Sequence, residues 1–429
     1  MLWRFRSSLA LVASVTLLLA TLSIYWIQTL HAQSLNVPSL DIPSAKGHSD
    51  QTPQNNPGWS WNPDKDRNNH RLSEAQCSSA FPLLYKEIDR AATFWGAREG
   101  QTKILQENID LDWSWDGGLR CMIYDQNLYI IHSRGLNHFG HWKERHRATL
   151  DNIHRAIMTS PEPIPNIEFS IKINDDVNLT DQNPNTTLWA FSRNIHDPVH
   201  DQLWVIPDFN FWAYPRVAGS FSEYQRRAVE VGNDFDGKIS KLVWRGTLEF
   251  NSKIRAPLLE QSKGQSWSDV VKVGEDSGED VRMSAEDHCR YKFAVHTEGT
   301  TWSGRLKYLL SCNSVVFIHP LKYYTHLYHL LTPRGTQQNY VPVQLDWTDL
   351  PARMEELLHD QTTARMVAQN AASTFRDRYA TAAAQTCYFR RLFHTWSTVS
   401  FQPQPYEVTK LKDGSEIKRT RGMTYEEYM

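Results

Sequence analysis

Hydrophobic residues in the middle of the chain follow two periods in alternation. Strand-length runs of apolar and β-branched residues occur at 167–173, 202–206, 241–244, 291–296 and 314–318. Apolar positions spaced three or four residues apart predict helices at 82–98, 143–158, 223–231, 253–261, 304–311, 350–359 and 362–379. Because strands that alternate with helices build parallel sheets with helical crossovers, the pattern predicts an α/β fold.

The first thirty residues predict a membrane anchor. A basic flank, Trp3-Arg4-Phe5-Arg6, precedes twenty-one uncharged residues at 7–27, a length that crosses a bilayer as a helix. A cleaved signal peptide is the alternative, but it usually has a shorter apolar core, and His31-Ala32-Gln33 is a poor cleavage site. Both arginines precede the apolar run, which places the amino terminus in the cytosol. We therefore expect a single-pass type II protein of the Golgi or another secretory-pathway membrane, with the rest of the chain in the lumen.

The composition fits this location and argues against a polyanionic partner. Residues 31–71 are mostly polar and lack apolar periodicity, as in a linker. The chain has 46 Lys and Arg against 48 Asp and Glu, and this balance does not support nucleic-acid binding. Two glycosylation sequons, Asn178-Leu179-Thr180 and Asn185-Thr186-Thr187, agree with a lumenal protein, as do the five cysteines, of which one must be unpaired.

A polar loop between two predicted strands is a candidate anion site. The loop follows the strand 291–296, contains Gly299 and leads into a helix for which Ser303 is a suitable N-cap. Free N–H groups and the positive end of the dipole bind anions at a helix start. A bound anion would also explain Arg305 in the first turn, where a cation opposes the dipole. On this pattern alone, an ordinary strand-helix-strand unit with a surface arginine explains the residues equally well.

A second basic motif, Trp244-Arg245-Gly246-Thr247, ends the predicted strand 241–244. Ligands of open parallel sheets bind at the carboxyl ends of the strands, where Arg245 and Arg305 would meet. The planar guanidinium groups of two arginines suit the oxygens of a diphosphate.

Several segments together resemble the family 90 glycosyltransferases, which include capsule-associated proteins and protein O-glucosyltransferases. The similarity runs from about 167 to 396 and is carried by His288-Cys289-Arg290-Tyr291-Lys292-Phe293, Trp302-Ser303-Gly304-Arg305, Leu309-Leu310-Ser311-Cys312-Asn313-Ser314-Val315-Val316-Phe317 and Asn339-Tyr340-Val341-Pro342-Val343. The resemblance implies two Rossmann-like lobes (GT-B type) around a cleft, a UDP-sugar donor, inversion at the anomeric carbon, and no metal or other cofactor.

The resemblance also implies residue roles. Arg245, Gly246 and Thr247 match the first donor-binding motif of the family, and Ser303 and Arg305 match the second. A disulfide is implied between Cys289 and Cys312. Cys387 matches the cysteine that ties the C-terminal helix to the first lobe; Cys77 is its natural partner, which leaves Cys121 free.

We expect the following organisation: a cytosolic stub and signal-anchor helix at 1–30, a stem at 31–75, an acceptor-side lobe with the catalytic base at 76–235, a UDP-sugar lobe at 236–380, a returning helix at 381–400 and a polar tail at 401–429.

Two adjacent carboxylates follow the predicted strand 167–173 and are candidates for the catalytic base. In the family the catalytic aspartate occupies this strand end and aligns best with Asp175, but Asp176 is the alternative. We favour Asp175, since neighbouring side chains of an extended segment face opposite ways. A solvated loop or a helix cap also explains the pair. A metal site is less favoured, since no second carboxylate stands at the spacing of an Asp-x-Asp motif.

These observations predict transfer of a sugar, glucose or xylose, from a UDP-sugar to a hydroxyl of a glycan or a protein. A non-catalytic member of the same fold that binds UDP-sugar or glycan is the alternative. Two smaller expectations remain open. Glu298 either binds a sugar hydroxyl or caps a neighbouring segment, and the aromatic segment 207–212 either shapes the sugar pocket or fills the core.

Overall fold

The computed structural model describes residues 58–97, 103–114, 116–136, 140–180, 183, 185–215, 217–274, 278 and 281–429. The predicted membrane anchor at 7–27 lies outside these residues. Among the helices of the described ranges, none combines the length and the apolar character that a bilayer span requires.

The strands of the described ranges are β1 (Gly118–Tyr124), β2 (Asn127–Arg134), β3 (Ile167–Lys172), β4 (Trp189–Ala190), β5 (Arg193–Asn194), β6 (Trp204–Val205), β7 (Ala213–Tyr214), β8 (Gly219–Ser220), β9 (Ile239–Gly246), β10 (Ser268–Lys272), β11 (Tyr291–His296), β12 (Val315–Ile318), β13 (Tyr323–Tyr324), β14 (Val341–Pro342), β15 (Tyr406–Lys410), β16 (Glu416–Thr420) and β17 (Met423–Thr424).

The helices of the same ranges are α1 (Pro63–Asp66), α2 (Glu74–Ala80), α3 (Lys86–Gly96), α4 (Gly140–Met158), α5 (Phe221–Gly232), α6 (Ser252–Ser262), α7 (Arg305–Leu310), α8 (Leu350–His359), α9 (Gln361–Thr374), α10 (Ala382–Val399) and α11 (Tyr425–Tyr428). A π-helical turn, Phe375–Tyr379, continues α9. The predicted α/β class is thus confirmed.

One sheet is entirely parallel, as the alternating pattern predicts. Its strand order is β10-β9-β11-β12-β14, and every pairing in it is parallel. All six residues of β11 and all four of β12 are buried, as expected for central strands covered by helices on both faces. The carboxyl ends of β9 and β11, where ligands of such sheets bind, lead into the two basic motifs.

The other large sheet is mixed, which the sequence pattern did not predict. Its order is β17-β2-β1-β3-β4-β6, with β1 antiparallel to both β2 and β3, whereas β3, β4 and β6 are parallel. The β1–β2 hairpin turns at Asp125 and Gln126, which have φ of 48° and 65°. The missed hairpin lacks the Asn-Gly or Asp-Gly signal of tight turns, since its turn residues are Asp and Gln.

Residues 59–75, which composition assigned to the stem, pack against the helical body. The Trp61 ring centroid lies 4.8 Å from that of Phe81, and its Nε1 donates a hydrogen bond of 3.1 Å to Asp377 O. Leu72 is fully buried. Large aromatic side chains bury enough apolar surface to fix a polar segment that has no helical or strand period of its own.

Both disulfides implied by the family resemblance are present. Cys77 in α2 pairs with Cys387 in α10, and Cys289 pairs with Cys312 around β11 and α7. Cys121 is free and buried in β1. The first bridge ties the C-terminal helix to the amino-terminal helices.

The polar tail divides into an exposed hairpin and a docked end. Strands β15 and β16 pair with each other and are largely exposed. Beyond them, β17 pairs with β2, and Arg421 contacts both carboxylate oxygens of the buried Glu168 at 3.0 Å. Arg120 binds the same carboxylate at 2.7 Å. The docked end thus supplies a cation to the core of the mixed sheet.

Candidate functional site

A cleft of about 380 Å³ brings together most of the site residues that the sequence predicts. Asp175 enters it from the segment after β3, and Arg245 from the end of β9. Ser303 and Arg305 enter it from the loop and helix after β11. The cleft therefore joins the carboxyl ends of strands from both large sheets. Gly246 and Thr247 adjoin Arg245 but do not line the cleft.

Arg245 is engaged by the protein itself. Its Nη2 lies 2.8 Å from Asp269 Oδ1, its Nη1 2.6 Å from Asp269 O, and its Nε 3.1 Å from Val281 O. Each guanidinium nitrogen thus has a protein acceptor, and the charge is neutralised by a carboxylate on the neighbouring strand β10. Arg245 therefore lines the cleft, but its main contacts join β9 to β10.

Arg255 carries a charge that has no carboxylate partner in the described part of the chain. It extends from α6 and is only 7% exposed. Its Nη1 donates to Thr247 O at 2.8 Å, whereas its Nε is buried without a partner among the described atoms. The sequence pattern did not single out Arg255. Arg255 lies in the helix that follows the Trp244-Arg245-Gly246-Thr247 motif, just as Arg305 lies in the helix that follows the second loop. This shared position was the sequence signal that could have identified Arg255.

Arg305 is the second cation without a carboxylate partner within the described ranges. Burial, and then the charge of nearby Arg255, lowers its pKa to about 10, and burial also lowers the pKa of Arg255. Two guanidinium groups that repel each other in a partly dry cleft are costly unless an anion lies between them. Arg255 and Arg305 therefore form a candidate anion site.

The loop before α7 differs in one respect from the expected form. The helix begins at Arg305 with Gly304 as its N-cap, and no side chain caps it, so the expectation that Ser303 is the cap is wrong. A six-residue helix also has a small dipole, so the guanidinium groups are the main source of positive charge. Gly304 is tightly packed, because a Cβ there would lie 2.5 Å from Asn210 Nδ2 and 2.9 Å from Cζ3 of the Trp302 ring.

Gly246, in the first basic motif, is likewise a packing residue. A Cβ at this position would lie 2.5 Å from Cζ2 of the Trp244 ring. Trp244 is itself fully buried, and its Nε1 donates to Thr297 Oγ1 at 3.2 Å, in the loop after β11. Trp244 and Gly246 therefore support the loop of the anion site, whereas Arg245 of the same motif lines the cleft.

Asp175 and Asp176 have different surroundings. Asp175 lines the cleft, and its Oδ1 accepts a hydrogen bond of 2.8 Å from Arg145 Nη1. Asp176 instead folds back onto the chain, where its Oδ1 accepts from the amide of Asn178 at 3.0 Å. Of the two, only Asp175 lines the cleft, and its assignment as the base stays a prediction.

Glu298 caps a neighbouring segment. Its Oε1 accepts hydrogen bonds from the amides of Lys322 at 3.0 Å and Tyr323 at 2.8 Å. Burial raises the pKa of Glu298 to about 7, against the opposing effect of these two amides. The side chain thus holds the segment after β12 against the loop of the anion site.

The aromatic segment 207–212 both shapes the cleft and fills part of the core. Phe209 and Asn210 line the cleft. Asp208 is buried and binds Lys307 Nζ through both carboxylate oxygens, at 2.7 and 2.8 Å. This ion pair holds α7 against the segment 207–212, which lines the cleft.

His288 adds a neutral group to the cleft. Its Nδ1 lies 2.9 Å from Ser284 O. Burial, and then the charges of Arg305 and Arg245, lowers its pKa to about 4 despite that hydrogen bond. His288 is therefore uncharged at neutral pH and does not add to the positive charge of the anion site.

One cleft in this α/β fold is thus lined both by Asp175 and by two arginines that have no carboxylate partner in the described ranges. The family model described as Glycosyl transferase family 90 matches residues 76–425. The chain therefore belongs to glycosyl transferase family 90.

Curated relatives agree with this membership. Protein O-glucosyltransferase 2 of Danio rerio is 26% identical over 277 residues, covering 61% of this chain and 52% of the relative. Protein O-glucosyltransferase 1 of Rattus norvegicus is 24% identical over 278 residues, covering 59% and 67%. The O-glucosyltransferase rumi of Drosophila pseudoobscura pseudoobscura is 30% identical over 152 residues, covering 34% and 35%. The chain thus matches about half the length of the Danio rerio protein.

Proposed function

We propose that the protein is an inverting glycosyltransferase that moves a sugar from a UDP-sugar to a hydroxyl group. One observation carries the proposal: the cleft holds two guanidinium groups without carboxylate partners in the described part, Arg255 and Arg305, together with the carboxylate of Asp175. A diphosphate supplies the missing negative charge, and a carboxylate is the base that a hydroxyl acceptor needs.

The proposed reaction is a single displacement. Asp175 takes the proton of the acceptor hydroxyl while that oxygen forms a bond to the anomeric carbon of the sugar. The bond from the anomeric carbon to the β-phosphate oxygen breaks, and its electron pair leaves with UDP. Arg255 and Arg305 stabilise the charge that develops on the diphosphate. Because the acceptor attacks from the side opposite the leaving group, the configuration at the anomeric carbon is inverted.

The donor and acceptor are proposed from the relatives. Those proteins are named protein O-glucosyltransferases, which favours glucose as the sugar and a protein hydroxyl as the acceptor, with xylose and a glycan as second choices. We further propose two Rossmann-like lobes of GT-B type and no metal or cofactor apart from the donor. The protein would act in the lumen as a Golgi or other secretory-pathway membrane protein.

Incubation of the purified full-length protein with a panel of UDP-sugars and hydroxyl acceptors tests the proposal. We expect release of UDP from UDP-glucose or UDP-xylose and a product whose anomeric proton coupling, measured by NMR, shows inversion. Retention of configuration would contradict the mechanism. UDP binding without turnover of any donor would instead favour a non-catalytic UDP-sugar-binding or glycan-binding protein.

A further inference from the structure

Arg145, in α4, binds the side chain of Asp175, and both residues line the cleft. Its Nη1 lies 2.8 Å from Asp175 Oδ1 and 3.5 Å from Ile173 O, so one nitrogen contacts both the carboxylate and the segment that carries it. The guanidinium carbon lies 4.9 Å from the centroid of the Phe209 ring. The contacts with the Phe209 ring and with Ile173 O fix the position of the Arg145 guanidinium group. The guanidinium group in turn fixes the position of Asp175 Oδ1.

Stability alone does not account for this arrangement. The side chain of Arg145 is 13% exposed, but that of Asp175 is 46% exposed, and ion pairs with a solvated member contribute little to folding. The Nε of Arg145 is buried and has no partner among the described atoms. A buried donor without an acceptor is a cost to folding, so stability does not explain this placement of the side chain.

We propose that Arg145 is a positioning residue that presents the free oxygen of Asp175 to the acceptor hydroxyl; this inference rests on the proposed function. A half-exposed aspartate samples several rotamers when it is unrestrained. Proton removal requires a carboxylate oxygen within hydrogen-bond reach of the hydroxyl. By binding Oδ1, Arg145 selects one rotamer and leaves Oδ2 for the acceptor. The proton transferred in the reaction ends on Asp175, and Arg145 remains charged throughout.

The test compares Arg145→Met, Arg145→Lys and Arg145→Ala in the full-length protein, with kcat and KM measured for UDP-sugar turnover. We expect kcat of Arg145→Met to fall about 10²-fold, because small misplacements of reacting groups cost this much. KM for the donor should change by less than about twofold, since the arginine does not bind the diphosphate. Arg145→Lys should retain an intermediate kcat. Methylguanidine should partly restore kcat to Arg145→Ala but not to Asp175→Asn.

Arg155→Met is the matched control. Arg155 lies in the same helix and packs its guanidinium carbon 4.5 Å from the centroid of the Trp212 ring, but it does not line the cleft. We expect its kcat to match the wild type. Unfolding temperatures of all variants separate loss of fold from loss of positioning.

The outcomes distinguish this inference from the function on which it rests. Normal kcat in Arg145→Met, or a fall in kcat that follows a loss of fold and is not rescued by methylguanidine, would overturn the positioning role alone. A wild-type protein without turnover of any UDP-sugar would overturn the proposed function and the positioning role together.

Discussion

Thr301 Oγ1 donates a hydrogen bond of 2.6 Å to the backbone oxygen of Asp175. The bond joins the loop between β11 and α7 to the segment after β3, and hence the loop that carries the anion site to the segment that carries the candidate base. The mixed sheet contributes the segment of Asp175, and the parallel sheet contributes the loop of Thr301. Because the bond ends on the backbone, it fixes where the chain of Asp175 lies, whereas Arg145 fixes the rotamer.

Removal of this bond should slow the reaction without changing donor binding. Thr301→Val keeps the shape of the side chain but loses the donor, and a hydrogen bond is worth about 1 kcal/mol, so kcat should fall about fivefold. Thr301→Ser, which keeps the hydroxyl, should retain most of the wild-type kcat. Steady-state kinetics with the preferred UDP-sugar measures both. A loss of kcat in Thr301→Ser that Thr301→Val does not share would show that the methyl group, not the hydroxyl, matters.

Arg255 and Arg245 should respond in opposite ways to substitution by methionine. Arg255→Met removes one of two repelling cations, so the unliganded protein should unfold at an equal or higher temperature. Its affinity for UDP should fall about 10- to 100-fold, because hydrogen bonds to charged groups contribute about 1.5–3 kcal/mol. Thermal unfolding and titration calorimetry with UDP make the two measurements.

Arg245→Met should instead destabilise the fold, since it leaves Asp269 without the arginine that binds it at 2.8 Å. Its unfolding temperature should drop clearly, by contrast with Arg255→Met. Arg290→Met, which removes an exposed pair with Asp287, is the control for loss of a surface arginine. A stable Arg245→Met with weakened UDP binding would reverse the roles that the contacts assign.

The raised pKa of Glu298, about 7, predicts how stability depends on pH. In the unfolded chain the carboxyl loses its proton near its ordinary value of about 4.3. Between these two values the folded state holds the proton that the unfolded state has lost, so the contribution of Glu298 to stability falls as the pH rises from about 4 to 7. Glu298→Gln cannot ionise and still accepts from the two amides. Its unfolding temperature should exceed that of the wild type at pH 8 and approach it at pH 5.

Removal of metal ions should leave turnover unchanged. In the proposed reaction the positive charge for the diphosphate comes from Arg255 and Arg305, which both line the cleft. We expect the same kcat before and after treatment with EDTA. A loss of activity that Mn²⁺ or Mg²⁺ restores would contradict the arginine-based account.

Local sequence patterns predicted the elements that carry the site. The strand at Tyr291–His296 and the helix at Leu350–His359 have the predicted bounds, because both combine a clear period with flanking turn or capping residues. Arg245 and Arg305 were predicted to lie near each other because parallel strands end at a common edge. The structure brings both to one cleft.

What the sequence did not predict depends on contacts between distant segments. The neutralisation of Arg245 by Asp269 requires β9 and β10 to pair in register. Arg145 and Arg255 lie on helices, and whether a helical arginine faces the cleft depends on the rotation of the helix against its sheet. The β1–β2 hairpin was missed because its period is weak and its turn residues adopt positive φ without glycine.

In the proposed mechanism Asp175 is the base, and Arg255 and Arg305 hold the leaving diphosphate. The most direct measurement is turnover of UDP-glucose and UDP-xylose by the wild-type protein, Asp175→Asn and Asp176→Asn, with UDP affinity measured for each. We predict that Asp175→Asn lowers kcat about 10²- to 10⁴-fold with UDP affinity unchanged, and that Asp176→Asn stays near the wild type. Wild-type turnover in Asp175→Asn would contradict the account.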